Sequence, residues 1–120
     1  MQHRRDLPQR TFEFARRVVL ACRCFQEQPK SNRIIIQQLL KSATSVGANI
    51  EEGQGSQSRA DFMAKYSIAC KEAREAHYWI RLLAVTEPAS GTRLDDLCEE
   101  ANQLVAILTS IVRQKRPPPG

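Results

Sequence analysis

Residues 62–83, FMAKYSIACKEAREAHYWIRLL, decide the fold. Phe62, Tyr66, Ala69, Ala73, Ala76, Ile80 and Leu83 recur at alternating spacings of four and three without a break. Such a heptad seam belongs to a helix that crosses its neighbours at about 20° in a left-handed bundle. Alanines at 69, 73 and 76 leave space for another backbone to come close, so a neighbouring helix with equally short side chains is expected. Ser58, followed three residues later by Asp61, resembles a capping box with Asp in place of the usual Glu or Gln, and it starts this helix at about residue 59.

The expected neighbour precedes it. Residues 38–58 read QLLKSATSVGANIEEGQGSQS, in which Leu39, Ala43, Val46 and Ile50 form one helical stripe that Ile36 extends backwards. Ser42, Ser45, Gly47 and Ala48 have side chains short enough to face the alanine seam. A glycine inside a helix costs roughly 1 kcal/mol against alanine, so Gly47 signals a close contact or a bend. Gly53 and Gly55 favour a turn with positive φ that stops the helix at about Glu52. Ser31 or Asn32 can cap its start.

Two further patterns complete the chain. Asp6 and Pro8 read as a helix start, and Phe12, Ala15, Val19, Cys22 and Phe25 supply the buried stripe of a first helix. Thr92 caps the last helix, which carries Leu94, Leu97, Ala101, Leu104, Leu108 and Ile111. Its first turns hold Asp95, Asp96, Glu99 and Glu100 and its end holds Arg113, a distribution that suits the helix dipole. Helices over about 8–26, 32–52, 59–85 and 93–114, joined by short loops, give an all-α, up-down-up-down antiparallel four-helix bundle. It occupies residues 1–116 as a single domain, and a disordered Pro-rich tail covers 117–120. Phe14, Val18, Ile34, Ile35, Leu40, Trp79 and Leu82 lie outside the main stripes and exceed what one small bundle must bury. They suggest a self-association surface.

With 42% apolar and 26% charged residues in 120, the chain is neither disordered nor membrane-spanning by composition. No apolar run approaches the roughly 18 residues that a transmembrane helix needs, and MQHRRDLP lacks the apolar core of a signal peptide, so a cytoplasmic location is expected. Cys22, Cys24, Cys70 and Cys98 fall within helical apolar patterns and read as reduced packing residues. The net charge of +5 is unevenly placed: residues 1–41 carry +6, residues 42–112 carry −4, and the tail from Arg113 adds +3. A basic start and end on an acidic body suit phosphate or another acidic surface. A merely solvated basic face is the ordinary alternative.

DLPQRTFEFARRV from residue 6, SVGANIEEG at 45–53 and the RADF…IA…KEA.E..YW pattern at 59–79 resemble the small four-helix-bundle proteins encoded in intervening sequences of bacterial 23S ribosomal RNA genes. The likeness spans residues 6–113. Members of that family are similar to the accessory variability determinant of diversity-generating retroelements, a pentameric ring that binds nucleic acid and a reverse transcriptase. The resemblance implies a ring-shaped homopentamer with no established biochemical activity.

Within the matched motifs, Asn49, Glu52, Glu75 and Tyr78 stand out as a structural polar cluster that would fix helix register. A di-metal carboxylate site needs Glu-x-x-His on two helices, whereas Glu75 and His77 are two apart, so no metal, cofactor or catalytic site is expected. The segment Gly53–Ser56 lacks the Lys-Ser/Thr ending of a phosphate loop, and Ser42, Ser45 and Ser67 have no histidine base in reach. The basic residues have the strongest functional case: Arg4, Arg5, Arg10, Arg16, Arg17, Arg23, Lys115 and Arg116, with Lys30, Arg33 and Arg113 beside them. In an antiparallel bundle the first helix starts where the last one ends, so the terminal cations gather and can contact an RNA or DNA backbone without reading bases. The expected function is that of a non-enzymatic accessory protein. The alternative is a scaffold that binds a protein such as a reverse transcriptase.

Overall fold

The structure, a computed structural model, describes residues 6–27, 32–87 and 91–114, with the side chains of 91–93 excepted. Four helices account for nearly all of them: α1 (Leu7–Gln26), α2 (Arg33–Gln54), α3 (Arg59–Thr86) and α4 (Gly91–Gln114). At 1.5 Å rise per residue the 28 residues of α3 span about 42 Å, which accounts for most of the 51 Å long axis.

The helix starts follow local chemistry. Asn32 Oδ1 accepts from the Ile35 N–H (3.2 Å) and Ser58 Oγ from the Asp61 N–H (3.1 Å), so each satisfies a backbone donor that has no intrahelical partner. Asp6 does not cap with its carboxylate as expected. It sits in the helical region of φ/ψ and uses its backbone carbonyl, which accepts from the Arg10 N–H (2.7 Å). Because α4 begins at Gly91, Thr92 lies inside that helix rather than at its cap. The expected Ser31 cap, the remainder of the loop at 28–31 and the Pro-rich tail lie outside the described residues.

Consecutive helices run antiparallel, and particular contacts show it. Thr11 of α1 meets Gly47 of α2, while Cys22 Sγ, further along α1, lies 3.9 Å from the Ile36 carbonyl oxygen near the start of α2. Glu52 and Gln54 at the end of α2 meet Lys65 and Tyr66 near the start of α3. At the other end of this pair, Glu87 Oε1 accepts from the Asn32 N–H at 3.3 Å. Thr109, late in α4, bonds with Cys70 and Arg74. The α2–α3 interface is the most extensive, and α1–α4 is the thinnest of the four helix pairings in contact.

One contiguous core draws on all four helices. On α2 and α4 every residue of the expected stripes is buried, and on α3 only Phe62 is less than fully so. The first helix departs from expectation. Its inward residues are Leu7, Thr11, Phe14, Val18, Cys22 and Phe25, whereas Ala15 and Val19 are half-buried and Phe12 is 68% exposed. Both sets have helical spacing; the true one is disguised by the hydroxyl of Thr11. That hydroxyl donates to the Leu7 carbonyl at 2.7 Å, and Ser42 does the same to Gln38 at 2.9 Å, so neither brings an unmet polar atom inside. Phe14 and Val18 therefore belong to the core and not to a self-association surface.

Two glycines are explained by proximity rather than by turn geometry. A methyl group on Gly47 would stand 3.3 Å from the Thr11 carbonyl oxygen, so this glycine admits α1, not the alanine seam of α3. Gly53 lies inside α2, which runs two residues beyond the expected Glu52, and neither it nor Gly55 (φ −90°) adopts a positive φ. A Cβ on Gly53 would fall 2.7 Å from Cε1 of the buried Tyr66 ring. That ring stacks on Phe62 with centroids 4.1 Å apart, and its hydroxyl accepts from Gln54 Nε2 at 2.6 Å.

Gly53→Ala is accordingly expected to lower stability by about 1–3 kcal/mol in denaturant titrations through overpacking, despite the roughly 1 kcal/mol that alanine gains in a helix. In a Tyr66→Leu background the same substitution should be neutral or stabilising. The thiols offer a second check. Burial pushes Cys22 up to about 11, which suppresses its reactive thiolate at pH 8, whereas Cys24 is exposed. Mass spectrometry after brief treatment with a water-soluble maleimide at pH 8 should find Cys24 modified, and Cys22 modified only after denaturation.

Candidate functional site

The candidate cations divide by what holds them. Arg10, on the flank of α1 that faces α4, is a strut. Its guanidinium donates to both carboxylate oxygens of Glu100, Nε to Oε2 at 3.1 Å and Nη2 to Oε1 at 2.8 Å, and Nη2 also reaches Gln103 Oε1 at 3.1 Å. Bidentate geometry at 20% side-chain exposure makes this the strongest polar tie between α1 and α4 among the described residues. Arg16 pairs with Glu13 one turn earlier at 2.7 Å. The hydrogen bond from Arg16 holds the Glu13 carboxyl below its usual range, and Glu13 in turn raises Arg16. Both groups are open to solvent, where such a pair stabilises the fold little.

Arg17 is half-buried on a groove between α1 and α4 that Asp6, Arg10 and Glu100 also line. Arg23, Arg33 and Arg113 are exposed. Arg4, Arg5, Lys30, Lys115 and Arg116 lie outside the described residues. The start of α1 runs alongside the end of α2, and the contact that joins α1 directly to α4 is that of Arg10 with Glu100 and Gln103, in the middle of α4.

The four residues expected to form a polar cluster are not joined to one another. Asn49 Nδ2 donates to the Ser45 carbonyl of its own helix at 2.8 Å. Glu52 Oε1 pairs with Lys65 Nζ at 2.9 Å, and Glu75 Oε2 accepts from Trp79 Nε1 at 3.1 Å. Tyr78 is 49% exposed, edge-on to Trp79 with Arg81 over its ring, 5.9 Å from the centroid. Glu75 and Tyr78, three apart on a long helix, project away from the alanine seam, which is why Asn49 on α2 meets neither. The polar locks that sequence spacing missed are Tyr66–Gln54 and Arg10–Glu100. Thr11, four residues after Leu7 in the position of a core residue, was the available clue to the rotation of α1 that sets up the second lock.

Burial raises Glu72, and the adjacent Glu75 adds to that effect; burial lowers His77, with Arg81 contributing. Among the described residues no group of three or more His, Cys, Asp and Glu side chains is placed to hold a metal ion, and no helix is long and apolar enough to cross a membrane.

What the surface does display is apolar. Phe12, Ala15, Val19 and Leu20 share the outer face of α1 with Arg16 and Arg23. Tyr78, Arg81, Leu82, Ala84 and Val85 of α3 line a separate groove of about 490 Å³ with Asp95 and Cys98 of α4. Ile34 and Ile68 are exposed elsewhere, whereas Ile35, Leu40 and Trp79 pack partly against the core.

Comparison with known proteins accords with this architecture. No curated protein sequence matches the chain. A solved structure from Bacteroides thetaiotaomicron VPI-5482, at 1.70 Å resolution, is described as a protein with unknown function from the S23 ribosomal protein family. It is 36% identical, with a TM-score of 0.81, and the match covers 88% of this chain and 97% of that one. The family model described as 23S rRNA-intervening sequence protein matches residues 5–110, nearly the whole four-helix unit, and the chain belongs to that family.

Proposed function

We propose that the protein is a non-enzymatic accessory factor: an up-down four-helix bundle that assembles into a homo-oligomeric ring, pentameric as the family resemblance implies, and meets the phosphate backbone of RNA or DNA with one basic end. The observation that carries this function is the charge asymmetry. Residues 1–41 hold +6 and the tail from Arg113 +3, against −4 between them, and the antiparallel path brings the start of α1 and the end of α4 together. In sequence, Arg4 and Arg5 precede α1, and Lys115 and Arg116 follow α4 directly after Arg113 and Gln114. Arg10 is left out of the contact set, because Glu100 and Gln103 already hold its guanidinium. A ring repeats the cationic end around its axis, which multiplies weak phosphate contacts into useful avidity. The family description names an RNA gene segment, and this agrees with an RNA-related role without specifying a bound molecule.

Exposed Phe12, Ile34 and Val85 favour a second reading, a scaffold that engages a protein partner. Nucleic-acid binding separates the two. RNA and duplex DNA should both shift in native gels at about 50 mM salt, with little sequence preference and with affinity falling steeply as salt rises. Neutralising Arg4, Arg5, Lys115 and Arg116 together should abolish the shift. No shift at low salt, or an unchanged shift in the neutralised variant, rules out the basic end.

A further inference from the structure

We infer that the groove between the end of α3 and the start of α4 is a binding site for a guanine base. It has a volume of about 490 Å³, and Arg81 and Asp95, both exposed, line it from the two helices. Because Glu87 after α3 meets Asn32 before α2, this groove lies at the end of the bundle opposite the start of α1, and its ligand does not depend on phosphate contact at the basic end. Among the described residues neither Arg81 nor Asp95 forms a hydrogen bond or an ion pair, and Arg81 stands instead over the Tyr78 ring. Burial raises the Cys98 thiol, Arg81 lowers it and Asp95 raises it, so the two opposite charges act on one half-buried group of the lining.

An unpaired cation and an unpaired anion on one groove narrow the choice of occupant. A phosphate or carboxylate would meet Asp95, with Asp96 and Glu99 exposed beside it on α4, and a simple cation would meet Arg81. A purely apolar ligand would take water from both charges and return no partner. What satisfies the site is a flat neutral group that accepts hydrogen bonds along one edge and donates them along another. Guanine does both: its O6 and N7 match the fork of an arginine, and its N1–H and N2 amino group stand side by side for the two oxygens of a carboxylate. Adenine carries an amino donor next to N7 and cannot give a guanidinium two acceptors. Tyr78, 49% exposed, supplies a ring to stack on, and Leu82 and Val85 supply apolar surface beside it. The mixed pair therefore selects a hydrogen-bonding pattern rather than a net charge.

Trp79, the only tryptophan in the chain, stands edge-on to Tyr78 with ring centroids 5.0 Å apart and reports on the groove. The test follows its fluorescence, excited beyond nucleobase absorption, as guanosine is added to the full chain. A saturable change is expected, with adenosine about tenfold weaker or more. Arg81→Gln and Asp95→Asn should each weaken guanosine by about tenfold or more. Both positions are exposed, so helix content and thermal unfolding by circular dichroism should stay native in the two variants. A uridine oligonucleotide with one guanine, set against an all-uridine strand, distinguishes the sources of the base. Tighter binding of the guanine-bearing strand, lost in both variants, identifies an unpaired base in a strand; guanosine binding with no difference between the strands identifies the free nucleoside. The all-uridine strand also registers contact at the basic end alone, so failure of that end and failure of the groove are read separately. No saturable change with guanosine, an equal response to adenosine or cytidine, or undiminished binding in both variants overturns the site.

Discussion

Tyr66 has to be buried close to the backbone of α2, and much of the architecture depends on how that is arranged. Its ring lies where a side chain on residue 53 would be, so only glycine lets α2 and α3 approach to this separation. The hydroxyl then finds Gln54, one residue along, so a polar atom enters the interior already bonded. Glu52 and Lys65 pair across the same reversal. These contacts fix the register of the two longest-packed helices at one end, and Ala69, Ala73 and Ala76 continue a close interface from there. Burying a phenol rather than a leucine gives the reversal a directional bond as well as area, which distinguishes one register from its one-turn neighbours.

Architecture was written in the periodicity wherever the apolar set was unambiguous. The stripes of α2, α3 and α4 required no knowledge of partners, because only one face of each is apolar enough to bury. On α1 the pattern admits two faces about a third of a turn apart, since Phe12, Ala15 and Val19 are as apolar as Phe14 and Val18. What decides between them is tertiary: Gly47 receives the backbone at Thr11, and Glu100 receives Arg10. Neither partner is adjacent in sequence, so spacing within α1 could not choose. The polar set fared worse for a related reason. Asn49, Glu52, Glu75 and Tyr78 share motifs, not a neighbourhood, and each meets its needs within its own helix or at the nearest turn.

The same rotation of α1 reorganises the functional reading. It turns one apparent core aromatic, Phe12, outward and commits one apparent phosphate ligand, Arg10, to the fold. Of the other basic residues on α1, Arg16 and Arg23 lie among the apolar side chains on its outer face. A helix whose two faces are both apolar is costly to leave in water.

The thin α1–α4 pairing has a consequence for how the molecule comes apart. Three of the four helices are joined by extensive interfaces, whereas α1 is held on one side by α2 and on the other chiefly through the guanidinium–carboxylate strut of Arg10 and Glu100. Local opening follows the path of least buried area, so α1 is expected to open before the rest, with its amides exchanging sooner than those of α3. Whatever covers the outside of α1 therefore slows that exchange, and occupancy of a surface becomes legible as the lifetime of a helix.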